Sequence, residues 1–95
     1  LLALMKKSEL ENPWFTQENQ RFCFKNWADV LKEENIKNWV SSYKISHFSM
    51  KVGLILAGNI PLVGFHDVIC VILSNHIPII KLSSKDKLIL PFLFI

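Results

Sequence analysis

The chain has 95 residues, a formal net charge of +3 and an apolar content of 51%, which is typical of globular rather than disordered proteins. Its lysines and arginines are interleaved with acidic residues as on solvated helix faces, so the charge argues against nucleic-acid binding. No run reaches the roughly 18 to 20 apolar residues of a membrane span. With two isolated cysteines and no secretory signal, we expect a cytoplasmic protein without a membrane span.

The two ends of the sequence predict a piece of a longer protein. The chain starts at Leu1 rather than at Met, and its last segment, LILPFLFI, is apolar except for one Pro. Chain ends usually lie at the surface and fray. We therefore expect Leu88 to Ile95 to pack against missing partners, either the rest of its own chain or a second copy.

The first half of the chain, residues 1–50, is predicted to be helical. Thr16 has the signature of an N-cap for a helix from Gln17 to about Lys32, where apolar residues recur at three- and four-residue intervals. A shorter helix is predicted over Glu34 to Ser42, and Leu1 to Leu10 is expected to add a turn or two. The aromatic side chains have no ligand spacing, so we interpret them as packing residues.

The second half, residues 51–95, changes to the pattern of alternating strands and helices. Val52 to Ala57 is a short apolar run typical of a buried parallel strand. The turn Gly-Asn-Ile-Pro follows, with Pro61 near the first position of a helix predicted through Leu73. Ile77 to Leu82 is predicted to be a second buried strand.

Short local signals bound these elements. Asn75 or His76 is expected to end the helix, and Ser83 with Asp86 forms the Ser-x-x-Asp pattern of a capping box for a further helix into Leu90. The order is that of a βαβα unit, whose crossover is expected to be right-handed. Because two strands do not form a stable sheet alone, more strands are expected outside this sequence.

Ligands of open parallel sheets bind beyond the carboxyl ends of the strands, and two segments have that position here. The turn Gly58–Pro61 follows the first strand, and Lys81–Ser84 ends the second. Neither contains a Gly-rich dinucleotide fingerprint or a P-loop. From the residues alone, Asn59 fits a turn as well as catalysis, and Lys81 fits a lysine reaching solvent as well as a ribose or phosphate ligand.

The segment LILAGNIPLVGFHDVICVILSNHIPIIKLSSKD resembles the fatty-acyl-CoA reductases associated with bacterial bioluminescence, which share the aldehyde dehydrogenase fold. The preceding NPWFTQENQRFCFKNWADVLKEENIKNWVSSY is similar to their helical N-terminal region, so the resemblance covers residues 12–95. It implies an α/β fold: a helical region over 1–50, then, over 51–95, the first, incomplete βαβα unit of a Rossmann-like cofactor domain.

The resemblance also implies roles for individual residues. Asn59 matches the amide that stabilises the oxyanion formed during acyl transfer in aldehyde dehydrogenases. Lys81 and Ser83 match the Lys and Ser of the Lys-Pro-Ser-Glu segment that binds the cofactor's adenosine ribose. Leu82 replaces the Pro, and Ser84 stands where NAD-preferring members often carry the Glu. Loss of that carboxylate removes repulsion against a 2′-phosphate, so NADPH is the expected cofactor.

The resemblance thus implies an NADPH-dependent acyl-CoA reductase, which takes a fatty acyl group from acyl-CoA or another acyl thioester onto a Cys and releases the aldehyde. The resemblance implies that this Cys lies well downstream, in a domain outside this sequence. Neither Cys23 nor Cys70 is assigned a catalytic role, because neither has the electropositive, accessible surroundings of a reactive thiol. The sequence alone is therefore expected to have no turnover. The alternatives are an aldehyde dehydrogenase working towards oxidation and a non-catalytic α/β interaction module.

The remaining chemically versatile side chains are interpreted as structural. Cys23 and Cys70 are expected to be buried, reduced thiols, since they lack C-x-x-C spacing. His47, His66 and His76 are spread over three elements without metal-ligand spacing. We therefore expect no metal site.

Overall fold

A computed structural model describes residues 1–94, which form a mixed α/β structure of five helices and one two-stranded parallel sheet. No helix in this range is both long and apolar enough to cross a membrane. The elements in chain order are α1 (Leu2–Glu11), α2 (Gln17–Val30), α3 (Glu33–Val40), β1 (Lys51–Ile55), α4 (Phe65–Leu73), β2 (Ile77–Lys81) and α5 (Ile89–Leu93).

Helix α2 begins at the predicted residue because Thr16 caps it. Thr16 Oγ1 accepts a hydrogen bond from the backbone N–H of Asn19 at 3.1 Å, which satisfies one of the first-turn donors that have no partner within a helix. The partly buried face of α2 packs on the core through Cys23, Phe24 and Trp27. Both cysteines, Cys23 and Cys70, are free and half-buried rather than fully buried.

The two strands pair in parallel as predicted, with Lys51 opposite Ile77 and Ile55 opposite Lys81. Partly buried and exposed residues alternate along both strands, so the prediction of two buried strands is wrong. Helix α4 packs against the sheet, with Leu54 and Ile80 turned towards the core. Parallel sheets are normally covered on both faces. Here the other face is exposed, and 86% of Ile55 is accessible.

Helix α4 begins at Phe65 and not near Pro61. Leu62 has a positive φ of 61°, which breaks the helical path, and the N–H of Phe65 closes a turn onto the carbonyl of Leu62 at 3.1 Å. This backbone conformation costs a non-glycine residue about 1 to 3 kcal/mol. Because the Leu62 side chain is buried in the core, the packing of this side chain holds the turn in place.

The other end of α4 confirms the predicted stop at Asn75 and His76. The N–H of His76 donates to the carbonyl of Val71 at 3.0 Å, and the N–H of Asn75 donates to that of Ile72 at 3.0 Å. This pair of bonds is a Schellman motif, which needs a left-handed residue. Asn75 supplies it with a φ of 66°, a conformation that Asn tolerates better than most residues.

One hydrophobic core joins the two halves of the chain. Phe15, from the turn between α1 and α2, packs with residues of the α/β half. The C-terminal segment contributes as well, because Ile89 and Leu90 are buried in this core. The expectation that the whole C-terminal segment packs against missing partners is therefore wrong for these two residues, while Phe92 to Phe94 are partly exposed. Ile95 lies outside the described residues. The core consists of Phe15, Leu56, Leu62, Phe65, Val68, Ile89 and Leu90.

The predicted capping box does not form. Helix α5 begins only at Ile89 and has no side-chain cap. Ser83 instead builds a turn, in which its carbonyl accepts the N–H of Asp86 at 3.1 Å and its Oγ accepts the N–H of Lys85 at 3.2 Å. The Ser-x-x-Asp pattern is local, and short polar side chains stabilise turns as readily as helix starts.

Candidate functional site

The loops that follow β1 and β2 lie at one edge of the sheet, because parallel strands end on the same side. The ladder continues one step beyond β1, where the N–H of Leu56 donates to the carbonyl of Lys81 at 3.0 Å. Asn59 lies in the first loop, and Ser83 and Ser84 lie in the second. The two segments singled out in the sequence are therefore neighbours in the structure.

Gly58 and Ser83 bring the two loops into direct contact. A Cβ atom at Gly58 would clash with Ser83 Oγ and would lie 2.8 Å from Ser83 Cβ and 3.2 Å from Lys85 Cβ. Real Cβ atoms do not approach other carbons at 2.8 Å without a shift of the neighbouring atoms. A glycine is therefore required before Asn59 for the loops to pack this closely.

Asn12 forms hydrogen bonds to both loops, a role that was not predicted from the sequence. Its side-chain Nδ2 donates to the carbonyl of Gly58 at 2.9 Å and to that of Lys85 at 3.1 Å. Its Oδ1 accepts the N–H of Trp14 at 3.1 Å, and only 4% of Asn12 is exposed. The acceptors flank the candidate residues directly, since Gly58 precedes Asn59 and Lys85 follows Ser84. An Asn before a Pro is typical of any turn, so the sequence carries no signal for this role.

Asn59 is exposed at the rim of a shallow cavity of about 290 Å³. Helix α2 and the turn before it form the opposite wall with Trp14, Phe22 and Cys23, while Pro61 contributes to the near wall. The cavity is mostly apolar, and the side-chain amide of Asn59 is one of the few polar groups on it. A polar donor beside apolar walls is the usual composition of a small-molecule site.

Lys81, Ser83 and Ser84 differ in their surroundings. Lys81 is exposed and belongs to the uncovered face of the sheet, opposite Ile55 in the strand register. Ser83 is half-buried against Gly58. Its Oγ already accepts one hydrogen bond, which leaves the hydroxyl hydrogen to donate. Ser84 is exposed in the turn. The ammonium group of Lys81, the last residue of β2, and the hydroxyl groups of Ser83 and Ser84, which follow it, are thus present in one short segment.

Asp86 adds a buried carboxyl group to the second loop. It is 6% exposed, and its Oδ1 has no hydrogen-bond partner among the described residues. Burial raises the pKa of Asp86, and a hydrogen bond from the backbone of Ile89 lowers it in part. Burial therefore favours the uncharged carboxylic acid at this position.

None of the three histidines belongs to the two loops of this sheet edge. His76 Nδ1 accepts the N–H of Met50 at 3.1 Å, which is a structural role, and His47 is exposed. His66 lies on α4 beside Cys70. Across residues 1–94 there is no group of three or more His, Cys, Asp or Glu side chains placed to hold a metal ion.

No known protein family, curated protein or solved structure matches this chain. A proposal about its function therefore depends on the residues of the sheet edge and on their chemistry.

Proposed function

We propose that this chain is the N-terminal part of an NADPH-dependent acyl-CoA reductase with a Rossmann-like cofactor domain. The contact between Gly58 and Ser83 is the observation that carries the proposal. It joins the loop that would supply an oxyanion donor to the loop that would hold a nucleotide, as an enzyme acting on both a thioester and a cofactor requires. The substrate class is a fatty acyl thioester such as acyl-CoA.

Asn59 is the oxyanion donor in this proposal. When a thiolate attacks the acyl carbonyl, charge develops on the carbonyl oxygen, and the amide N–H of Asn59 would donate to it. Such donors contribute about 3 to 4 kcal/mol to the transition state. The exposed position of Asn59 beside an apolar cavity suits contact with an acyl group. The attacking Cys would come from outside residues 1–95, in the rest of the protein or in a second copy.

Lys81, Ser83 and Ser84 would hold the adenosine half of NADPH. The ammonium of Lys81 and the hydroxyl hydrogen of Ser83 are donors suited to ribose and phosphate oxygens. Ser84 adds a hydroxyl and no carboxylate, which suits the 2′-phosphate of NADPH. The residues present are therefore compatible with this cofactor. Bound NADPH would supply the hydride that releases the aldehyde.

Replacing Asn59 by Ala in the full-length reductase of this proposal is expected to lower the acyl-transfer rate about 100- to 1,000-fold. Because Asn59 is exposed, the free energy of unfolding should change by no more than about 0.5 kcal/mol. The rate is measured as the release of CoA in a single turnover. Asn26→Ala, at an exposed Asn on α2, is the matched control. A near-wild-type rate for Asn59→Ala would remove Asn59 from the mechanism.

Replacing Lys81 by Met is expected to raise the KM for NADPH about 10- to 100-fold with little change in kcat, since a charge-assisted hydrogen bond to a phosphate is lost. Lys51→Met is the matched control, because Lys51 is also exposed and belongs to the same uncovered face at the other end of the sheet. Equal KM values for the two variants would mean that Lys81 only reaches solvent.

A second candidate is a non-catalytic interaction module, which the uncovered face of the sheet favours. Ile55, Ile77 and Ile79 are exposed together on this face, and a second copy of the chain would be the occupant. The Asn59→Ala experiment separates the two candidates, because an interaction module has no acyl-transfer rate to lose.

A further inference from the structure

A second cavity, of about 320 Å³, lies between α3, the segment that follows it and α4. Three aromatic rings line it, those of Trp39, Tyr43 and His66. None of the residues assigned to acyl transfer or to NADPH contributes to this cavity. Any ligand here therefore binds independently of the proposed function.

Two of these rings are already stacked on each other. The imidazole of His66 stacks on Trp39 with a centroid distance of 5.7 Å and an interplanar angle of 25°, and the ring of Trp27 lies 6.1 Å from the same imidazole on a tilt. Aromatic rings attract each other in offset-stacked and edge-to-face arrangements at centroid distances of about 4.5 to 7 Å. A planar aromatic ligand can extend this stack or meet it edge to face.

The rest of the lining is mostly aliphatic. Val40, Ile45 and Leu73 contribute apolar side chains to the cavity. Apolar walls with a small number of polar groups are the usual composition of a small-molecule site, and ligand pockets have volumes of about 300 to 1,000 Å³. The cavity lies at the lower end of this range, so it fits a ligand of one or two rings rather than a large cofactor.

Lys44 gives the cavity its charge. Among the described residues that line the cavity, Lys44 is the one with a formal charge. Its side chain is exposed and forms no ion pair within residues 1–94, so the ammonium is available to an anion. Asp67 Oδ1 lies 3.8 Å from His66 Nδ1, but Asp67 does not line the cavity, and solvent screens its exposed carboxylate. The lining therefore favours an anion over a cation.

Cys70 also lines the cavity and adds no negative charge to it. Burial and the Asp67 carboxylate both raise the pKa of this thiol, so it is protonated at neutral pH. Its sulfur lies 3.8 Å from both Nδ1 and Nε2 of His66 and therefore faces the imidazole ring. A protonated thiol in such a place behaves as a small apolar group, so Cys70 belongs to the apolar wall.

We propose that this cavity binds a small aromatic carboxylate. The ring of the ligand packs against Trp39 and Tyr43 and against the aliphatic side chains beside them. Its carboxylate accepts a charge-assisted hydrogen bond from the ammonium of Lys44. The apolar contacts supply most of the affinity, and Lys44 selects an anion over a neutral or cationic molecule of the same shape.

The test is a titration of the protein, isotope-labelled at its tryptophans, with 2-naphthoate, followed by NMR of the indole N–H groups. We expect the signal of Trp39 to shift and to saturate with a Kd of about 1 mM or lower, as for other ligands of this size. The signal of Trp14, which lines the cavity beside Asn59, should not shift. 2-Naphthylmethylamine has the same rings and the opposite charge, and it should bind at least about fivefold more weakly.

Substitution of Lys44 tests the role of the cation. Lys44→Met is expected to weaken the binding of 2-naphthoate about fivefold, because the ion pair is lost, whereas Lys44→Arg should keep the affinity. Lys25→Met, at an exposed lysine on α2 outside the cavity, is the matched control and should bind as the unmodified protein does.

Alkylation of the two free cysteines gives a readout that requires no substitution. 2-Naphthoate should slow the alkylation of Cys70 and leave that of Cys23, which lines the cavity beside Asn59, unchanged. The proposal is overturned if the Trp39 signal shows no saturable shift or if the response is confined to Trp14 and Cys23. Equal affinity for the amine and the carboxylate, or an unchanged affinity in Lys44→Met, would overturn it as well.

Discussion

Asn12→Ala is expected to lower the free energy of unfolding by about 2 to 4 kcal/mol. The substitution removes two hydrogen bonds from Nδ2 to the carbonyls of Gly58 and Lys85 and one from the N–H of Trp14 to Oδ1. The larger part of the effect comes from the carbonyl of Gly58, which is buried and would lose its donor, at about 1 to 3 kcal/mol for an unsatisfied buried group. The hydrogen bonds with Lys85 and Trp14 are only part-buried and contribute less. Denaturant unfolding of the protein measures the change.

Two further variants show whether the hydrogen bonds are responsible. Asn12→Asp keeps the shape of the side chain and the acceptor for Trp14 but removes both Nδ2 donors, so it should destabilise at least as much as Ala. Asn26→Ala, at an exposed Asn on α2, should change stability by no more than about 0.5 kcal/mol. If Asn12→Ala behaved like Asn26→Ala, the two loops would be held by other contacts.

Gly58→Ala is expected to destabilise the protein by about 1 to 3 kcal/mol, the usual cost of overpacking a close contact. The backbone of Gly58 does not have a positive φ, so the cost arises from contact with Ser83 and, to a smaller extent, with Lys85 Cβ at 3.2 Å. Replacing Ser83 by Gly removes the atoms that would lie closest to the new Cβ. The double variant Gly58→Ala, Ser83→Gly should therefore lose less stability than the sum of the single variants, which a double-mutant cycle measures.

Gly53→Ala is the control for the glycine substitution. A Cβ at Gly53 would have no atom within 4 Å, and the residue lies on the uncovered face of β1. Its replacement should leave stability unchanged or slightly improved, because alanine restricts the unfolded chain. A Gly58→Ala variant as stable as Gly53→Ala would show that the loops adjust to the added methyl group.

The order of the elements and the cap at Thr16 could be predicted from the sequence, because each depends on residues close together in the chain. The parallel pairing of the strands, 26 residues apart, could be predicted because a helix connects them. The start of α4 could not. It depends on Leu62, whose positive φ is held by burial of its side chain among residues from other elements. The uncovered sheet face was missed for a similar reason, since an apolar strand does not reveal how many helices cover it.

The location of the candidate site could be predicted from the sequence, but the contacts that hold it together could not. Parallel topology predicts that the loops carrying Asn59 and Ser83 share one edge of the sheet, and the structure has them there. Asn12 was not predictable, because its acceptors lie 46 and 73 residues away. The stacking of Trp39 on His66 depends on the position of α3.

From the contacts of Asn12 we also expect an order of assembly during folding. Contacts of large sequence separation form slowly, because the loop between them must first be closed at an entropic cost. On a ribosome, Asn12 emerges 73 residues before Lys85, its second acceptor. The βαβ unit spans a much shorter stretch and forms its contacts sooner. We therefore expect the sheet edge with Asn59 and Ser83 to reach its final geometry in a late step, when the segment around Asn12 docks onto the two loops.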